Sequence, residues 1–284
     1  MRKKIVIAHS PDSDDAFMFY AFAAGKIDTR GYEFDHYLKD IQSLNEDAET
    51  GRFEISAVSI HAFPYIADKY ALMTCGASMG DNYGPMVVAR KPMTPDALSQ
   101  LTVAVPGLRT SAYLALKLWN PHIKTVVMSF DRIMEGVEKG KVDAGLLIHE
   151  GQLTWKDRGL YSVINLGEWW YKLTDGLPLP LGGNVVRRNL GKKTMEELNV
   201  ILREAIRYAI EHKKEALSYA MKYAGGMDTQ RVGEFVSMYV NDLTIDYGDR
   251  GREAIRRFLS MASERGLVPK VPVESMMVSS KPVE

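Results

Sequence analysis

Residues 102–119 read TVAVPGLRTSAYLALKLW, a β-branched strand, a Pro-Gly turn and an apolar helix in succession. The same order occupies residues 5–24, IVIAHSPDSDDAFMFYAFAA. A second pair of matching segments, residues 49–56 and 138–145, combines a helix end, a glycine stop, an acid and a buried-type strand. Chance similarity between two βα units would also produce such matches. We interpret the shared order of elements as an α/β chain of two similar lobes.

Two proline-containing segments predict where the chain passes between the lobes. Residues 85–89 are expected to form a strand that leaves lobe one, and residues 91–95, KPMTP, to form the first crossover. Residues 178–183, PLPLGG, are expected to form the second. Lobe one is therefore predicted to comprise residues 1–95 and 183–284, and lobe two residues 96–182. Later segments with apolar residues at helical spacing are expected to pack on lobe one.

The composition is that of an ordinary globular protein, with 46% hydrophobic and 25% charged residues among 284. Lys+Arg and Asp+Glu both count 36, so the net charge gives no reason to expect nucleic acid or an anionic membrane as partner. The single Cys75 excludes an internal disulfide and a cysteine-based metal site. The apolar run at residues 5–8 ends at His9, so we predict no export signal and a cytoplasmic location. None of these features predicts an oligomeric state.

A candidate anion site lies in the turn after the strand at residues 102–105. Ligands of open α/β sheets bind beyond the carboxyl ends of the strands, and Thr110 and Ser111 stand there at the first turn of a helix. Free N–H groups, the helix dipole and two hydroxyls favour a carboxylate or phosphate. Simple capping of the helix by the same hydroxyls is the alternative interpretation. Arg109 beside them either adds positive charge or points to solvent.

His149 is a candidate general base because it follows the apolar strand AGLLI at residues 144–148. An imidazole exchanges protons in either direction near neutral pH, but a structural histidine satisfied by hydrogen bonds would also fit this position. His9 and His61 are predicted to lie near the same cleft. The sequence therefore indicates His149 as the first candidate for proton transfer and His9 and His61 as the second candidates.

Three acids, Asp12, Asp14 and Asp15, crowd the start of the first helix. Acids are favoured at a helix N-terminus by the dipole, so capping explains at least one of them. Together with His9 they could instead bind a metal ion, although their spacing matches no known metal motif. We therefore predict no metal site.

Several segments together resemble one known family over nearly the whole chain. They are SPDSDDAFMF at 10–19, VAVPGLRTSAY at 103–113, GLLIHE at 145–150, LGEWW at 166–170 and GLPLPLG at 176–182. This combination resembles the 1,4-dihydroxy-6-naphthoate synthases, late enzymes of the futalosine route to menaquinone. The chain departs from the family pattern at Asp14, where Asn is usual, and at Ala57, where Lys is usual. The segments typical of chorismate dehydratase, a relative with the same fold, match less well.

The resemblance implies a two-lobed, type II periplasmic-binding-protein-like α/β fold with a ligand cleft between the lobes. It also implies a carbon–carbon lyase that converts cyclic dehypoxanthinyl futalosine to 1,4-dihydroxy-6-naphthoate without metal or organic cofactor. His149 would be the proton acceptor. The resemblance implies that the small-molecule carboxylate substrate contacts Ala57, Val58, Ser59, Thr110 and Ser111. We add Asp14 to this set as a further predicted contact. The alternative from another class is a non-catalytic cytoplasmic binding protein for a small carboxylate.

Overall fold

The computed structural model describes residues 3–279, which form two β-sheets flanked by helices. The first sheet has the order β2-β1-β3-β11-β4, with β5 paired to β11. Its strands are β1 (Lys3–His9), β2 (Tyr32–Leu38), β3 (Ile55–Ser59), β4 (Tyr70–Leu72), β5 (Ser78–Gly80) and β11 (Leu179–Arg187). The second sheet has the order β10-β6-β9-β7-β8. Its strands are β6 (Met86–Ala89), β7 (Thr102–Val105), β8 (Lys124–Val127), β9 (Ala144–Leu147) and β10 (Tyr161–Asn165).

The two sheets repeat one arrangement, as the paired sequence segments predicted. In the first, β1 is parallel to β2 and β3, and β11 returns antiparallel to β3. In the second, β7 is parallel to β8 and β9, and β6 lies antiparallel to β9. Parallel strands buried on both faces are typical of α/β proteins, and the apolar runs of β1, β7 and β9 fit that environment.

The strand Met86–Ala89 was expected to end lobe one, but it pairs with β9 and β10 in the second sheet. This strand belongs to the second sheet because of its hydrogen bonds to those two strands. The proline-containing segment that follows it does not mark the boundary. The chain therefore leaves the first sheet between residues 80 and 86 and returns between residues 165 and 179. The predicted lobe limits otherwise stay a prediction, and residues 1–2 and 280–284 lie outside the described residues.

Helices cover both sheets, and side-chain caps fix where several of them begin. Thr110 accepts a hydrogen bond from the N–H of Tyr113 at the start of the helix Ser111–Trp119, and Asp40 accepts one from Ser43 at the start of the helix Ile41–Glu49. The helices are α1 (Ser13–Met18), α2 (Tyr20–Ala23), α3 (Ile41–Glu49), α4 (Phe63–Ile66), α5 (Ser111–Trp119), α6 (Phe130–Glu138), α7 (Gly151–Thr154), α8 (Leu166–Leu173), α9 (Lys192–Glu211), α10 (Lys213–Ala220), α11 (Thr229–Tyr239), α12 (Asp242–Ile245), α13 (Gly248–Glu264) and α14 (Val273–Met276).

The two connections between the sheets touch each other through glycine. Gly84 lies in the first connection and Gly167 in the second, at the start of α8. A Cβ added to Gly167 would lie 1.8 Å from the carbonyl oxygen of Tyr83, so only a residue without a side chain fits there. Beyond this contact, Trp170 of α8 packs edge-on against Phe258 at 5.4 Å and is fully buried. Both sheets therefore share one hydrophobic core next to the crossovers.

Candidate functional site

A cleft with about 750 Å³ of free space, its solvent-filled mouth included, lies where the carboxyl ends of strands from both sheets meet. Clefts in this position of an α/β fold are typical binding sites for small organic molecules. The cleft is lined by the predicted general base and by all residues predicted to contact the substrate: Asp14, Ala57, Val58, Ser59, Thr110, Ser111 and His149. The lining residues among 3–279 include three aspartates and one histidine but neither lysine nor arginine.

His149 stands in the turn between β9 and α7 with a left-handed backbone, φ 55°. This conformation costs about 1–3 kcal/mol in a residue other than glycine, and such residues concentrate at functional sites. Its Nδ1 lies 3.0 Å from Oδ2 of Asp12, and the hydroxyl of Ser10 donates to the same carboxylate oxygen. Phe130 packs edge-on against the imidazole at 4.9 Å. One ring nitrogen is thus held by Asp12, and 17% of the side chain remains exposed.

Charge determines how His149 titrates. Burial lowers the pKa of this imidazole, but the Asp12 carboxylate, through its charge and its hydrogen bond, raises it more. With smaller contributions from Glu150 and Asp14, the pKa of His149 reaches about 10. Burial raises the pKa of Asp12, and the opposing effect of His149 leaves that pKa below its usual value. At neutral pH the pair is therefore an imidazolium beside a carboxylate.

The other acids of the cleft are harder to ionise. Burial, followed by the charge of Asp12, raises the pKa of Asp14 to about 7. Burial and the charges of Asp14 and Asp12 raise the pKa of Asp15 well above its usual value, although Asp15 accepts the N–H of Ser10 at 2.8 Å. Burial also raises the pKa of Glu150, whose carboxylate accepts the hydroxyl of Ser13 at 3.3 Å. All three carboxyls are therefore easier to protonate than a carboxyl in water.

The hydroxyls of Thr110 and Ser111 both donate to backbone carbonyls. Thr110 Oγ1 donates to the carbonyl of Gly107 at 2.8 Å and caps α5. Ser111 Oγ donates to the carbonyl of Leu181 at 2.5 Å and accepts the N–H of His61 at 3.1 Å. No acceptor within residues 3–279 meets the N–H groups of Ser111 and of the following residue, which begin the helix. The geometry favours capping by the hydroxyls and leaves backbone donors for an anion.

Ser59 and the turn before α5 are connected by the fully buried Asn45 of α3. The amide nitrogen of Asn45 donates to Ser59 Oγ at 3.0 Å and to the carbonyl of Arg109 at 3.4 Å, and its oxygen accepts the N–H of Ser59 at 2.8 Å. The Arg109 guanidinium turns away from the cleft, because it pairs with Glu49 at 3.2 Å and stacks 3.6 Å above Tyr65. Arg109 therefore fixes the turn and supplies no charge to the cleft.

His61 and His9, the second candidates for proton transfer, are less suited to it than His149. His61 is buried, and its Nδ1 lies 3.1 Å from the carbonyl of Thr110. Burial lowers the pKa of His61 to about 4. His9 lies against His36, with Nε2 and Nδ1 3.0 Å apart, and burial followed by the charge of His36 lowers the pKa of His9 to about 3. Neither residue is among those that line the cleft.

Comparison with known proteins shows the family. A family model described as menaquinone biosynthesis matches residues 5–264. The chain belongs to this family. It is 37% identical over 266 residues to a 1,4-dihydroxy-6-naphthoate synthase of Thermus thermophilus, covering 94% of this chain and 96% of that one. A protein of the same name from Streptomyces coelicolor is 37% identical over 277 residues, covering 95% and 96%. The resemblance seen in the motifs, and with it the prediction of an enzyme, is confirmed.

Solved structures confirm the fold of this menaquinone biosynthesis family member. The crystal structure of a protein from Archaeoglobus fulgidus is 46% identical and superposes with a TM-score of 0.89, covering 93% of this chain and 98% of that chain. The alkanesulfonate-binding protein of Xanthomonas axonopodis, bound to MOPS, superposes with a TM-score of 0.72 at 12% identity, covering 96% and 97%. The predicted periplasmic-binding-protein-like fold is therefore correct.

In this member of the menaquinone biosynthesis family, the cleft also contains a hydrogen-bonded pair that the sequence did not predict. The hydroxyl of Tyr239 in α11 donates to Oε1 of Gln152 in α7 at 2.8 Å, and both side chains are buried. The partner of Tyr239 lies 87 residues away in the sequence, so neither segment alone indicates the pair. Within residues 3–279, no helix is both long and apolar enough to cross a membrane. The same residues contain no group of three or more His, Cys, Asp or Glu placed to hold a metal ion.

Proposed function

We propose that the protein is a cytoplasmic lyase that converts cyclic dehypoxanthinyl futalosine to 1,4-dihydroxy-6-naphthoate, with His149 as general base. The observation that carries the proposal is the pairing of His149 with Asp12 at the wall of the cleft. The identity to naphthoate synthases over more than nine-tenths of the chain supports the substrate. An imidazole oriented by a carboxylate on one nitrogen keeps the other for proton transfer.

Substrate binding is proposed to begin at the start of α5. The carboxylate would accept hydrogen bonds from the N–H groups of Ser111 and Ala112, where the positive end of the helix dipole adds to the attraction. Thr110 and Ser59 support this turn through their own hydrogen bonds, and Ala57 and Val58 form the adjoining apolar wall. Such positioning would place the reacting proton within reach of the imidazole, and positioning of this kind lowers the barrier to reaction.

The chemical step resembles a retro-aldol fragmentation. His149, in the deprotonated form that is the minority at neutral pH, accepts the proton of a hydroxyl in the sugar-derived part, and the electrons of that O–H bond form a carbonyl. The adjacent carbon–carbon bond breaks, and its electron pair moves toward the ring ketone, which becomes an enolate. The imidazolium returns the proton to the enolate oxygen, so that atoms and charge balance. Formation of the aromatic ring supplies the driving force.

Replacing His149 by Asn tests the proposal. General-base catalysis contributes about 10²–10⁴-fold, so we expect naphthoate formation from the cyclic futalosine derivative to fall by at least this order at saturating substrate. His122→Asn is the matched control, because His122 is exposed and outside the cleft. Near-full activity of H149N would remove His149 from the mechanism. A wild-type protein that binds the substrate without forming naphthoate would instead support a solute-binding protein.

A further inference from the structure

The charge of the cleft does not match the ligand proposed for it. Asp12, Asp14 and Asp15 line the cleft, and among its described lining residues His149 alone can carry positive charge. Glu150 adds a further carboxyl beside His149. An incoming carboxylate would therefore meet more negative than positive charge, because one imidazolium is already paired with Asp12. Like charges that share a buried site disfavour ionisation, so such a cleft should bind an anion together with a proton.

Asp14 is the carboxyl best placed to receive that proton. Asp12 is engaged by His149 and Ser10, and Asp15 by the N–H of Ser10. Asp14 stands in the first turn of α1, 8% exposed, and lines the cleft. Its carboxyl interacts with the backbone N–H of Asp15. In its neutral form it would present an O–H group to the ligand.

The surroundings of Asp14 keep it close to the point of ionisation. Burial and the charge of Asp12 raise its pKa to about 7, against the opposing charge of His149. Binding of a further negative charge would raise this pKa again. The titratable groups that face Asp14 come from its own turn, from the turn after β9 and from α11: Asp12, Asp15, His149, Glu150 and Tyr239.

We propose that Asp14 takes up a proton when a carboxylate ligand binds in the cleft and then donates this proton in a hydrogen bond to a ligand oxygen. The inference rests on the proposed function, because it takes from it the aromatic carboxylate as ligand. Asp14 would thus determine specificity: the cleft accepts an anion rich in oxygen acceptors without any lysine or arginine. The affinity for the carboxylate ligand then falls as the pH rises, because binding takes up a proton and the proton concentration in solution decreases.

Calorimetric titration of the protein with 1,4-dihydroxy-6-naphthoate, in two buffers of different ionisation enthalpy, counts the protons taken up. We expect about one proton per ligand at pH 8, where free Asp14 is mostly ionised, and close to none at pH 5.5. The Kd should rise by up to about tenfold per pH unit between pH 7 and pH 9. In Asp14→Asn the uptake should vanish and the Kd should stay nearly constant over this range. Asp35→Asn, the same change in an exposed carboxyl paired with Lys4, is the matched control and should behave as wild type.

Each outcome decides the matter. Binding without proton uptake, or with the same uptake in Asp14→Asn, overturns the proposal and leaves the proposed function intact. Uptake that survives in Asp14→Asn but disappears in Asp15→Asn overturns the assignment to Asp14. Failure of the folded wild-type protein to bind the naphthoate overturns the proposed function and the inference together.

Discussion

Replacing Asp12 by Asn is the sharpest test of how His149 acquires its basicity. The carboxylate lies 3.0 Å from Nδ1 in a buried site. Two unit charges about 4 Å apart interact by about 4 kcal/mol at an effective dielectric of 20, and one pKa unit corresponds to about 1.4 kcal/mol. Loss of the charge should therefore lower the pKa of His149 by about 3 units from its value of about 10. Burial, which also lowers it, would remain.

The assay is the pH dependence of kcat/KM for naphthoate formation between about pH 6 and pH 10.5. A general base works when deprotonated, so in the wild type the rate should rise with pH toward the pKa of His149. In Asp12→Asn this rise should move to lower pH by about 3 units and reach a plateau about ten- to a hundredfold lower, because a weaker base transfers protons less readily. NMR titration of the His149 ring measures the same pKa without turnover.

Glu150→Gln is the matched control, since Glu150 raises the pKa of His149 through charge without a hydrogen bond. We expect a shift of about one unit or less. A midpoint in Asp12→Asn within about half a unit of wild type would refute the reasoning, because the ion pair would then contribute little to the basicity.

Four further outcomes follow from the structure. Thr110→Ala and Ser111→Ala should each lower the free energy of unfolding by about 1 kcal/mol in denaturant titration. Both should keep their preference for a carboxylate ligand over its amide, because the backbone donors remain. Gly167→Ala should lower the free energy of unfolding by about 1–3 kcal/mol. Gly233→Ala in α11 should not, because a Cβ there would make only an ordinary van der Waals contact. The pKa of Asp14, about 7 in the folded protein against a usual 3.8, means that the wild type loses stability as the pH rises through this interval. Asp14→Asn should therefore raise the free energy of unfolding by about 2–4 kcal/mol at pH 8 and leave it unchanged at pH 4, as measured by denaturant titration at each pH. Activity should survive exhaustive treatment with EDTA, and loss restored by Zn²⁺ or Mg²⁺ would contradict the prediction of no metal site.

The fold was predictable because its signal is local and occurs twice. The strand–turn–helix pattern at residues 102–119 and at residues 5–24 corresponds to β7 with α5 and β1 with α1, which hold equivalent places in the two sheets. The strand Met86–Ala89, expected to lead out of lobe one, pairs within the second sheet, and its apolar residues would fit either sheet. Only the hydrogen bonds to β9 and β10 decide between them, and these depend on residues more than 50 positions away.

The sequence indicated which segments line the cleft, but not how their side chains interact. His149 and the acids of the first helix were both recognisable as candidates, since each follows a strand end. Their ion pair joins residues 137 positions apart, and so does not follow from either segment alone. The same holds for Asn45, which gave no signal in the sequence because a buried amide differs from an exposed one only through its surroundings.

The glycine contact between the two connections has a consequence for ligand selection. The first connection contains Gly84 and the second contains Gly167, and the two glycines are in contact. Pro85, next to Gly84, lines the cleft. A Cβ at Gly167 would strike the backbone of the first connection, so a side chain there would push the two connections apart beside Pro85. We expect such a change to widen the cleft, so the width available to a ligand depends on two glycines that do not line it.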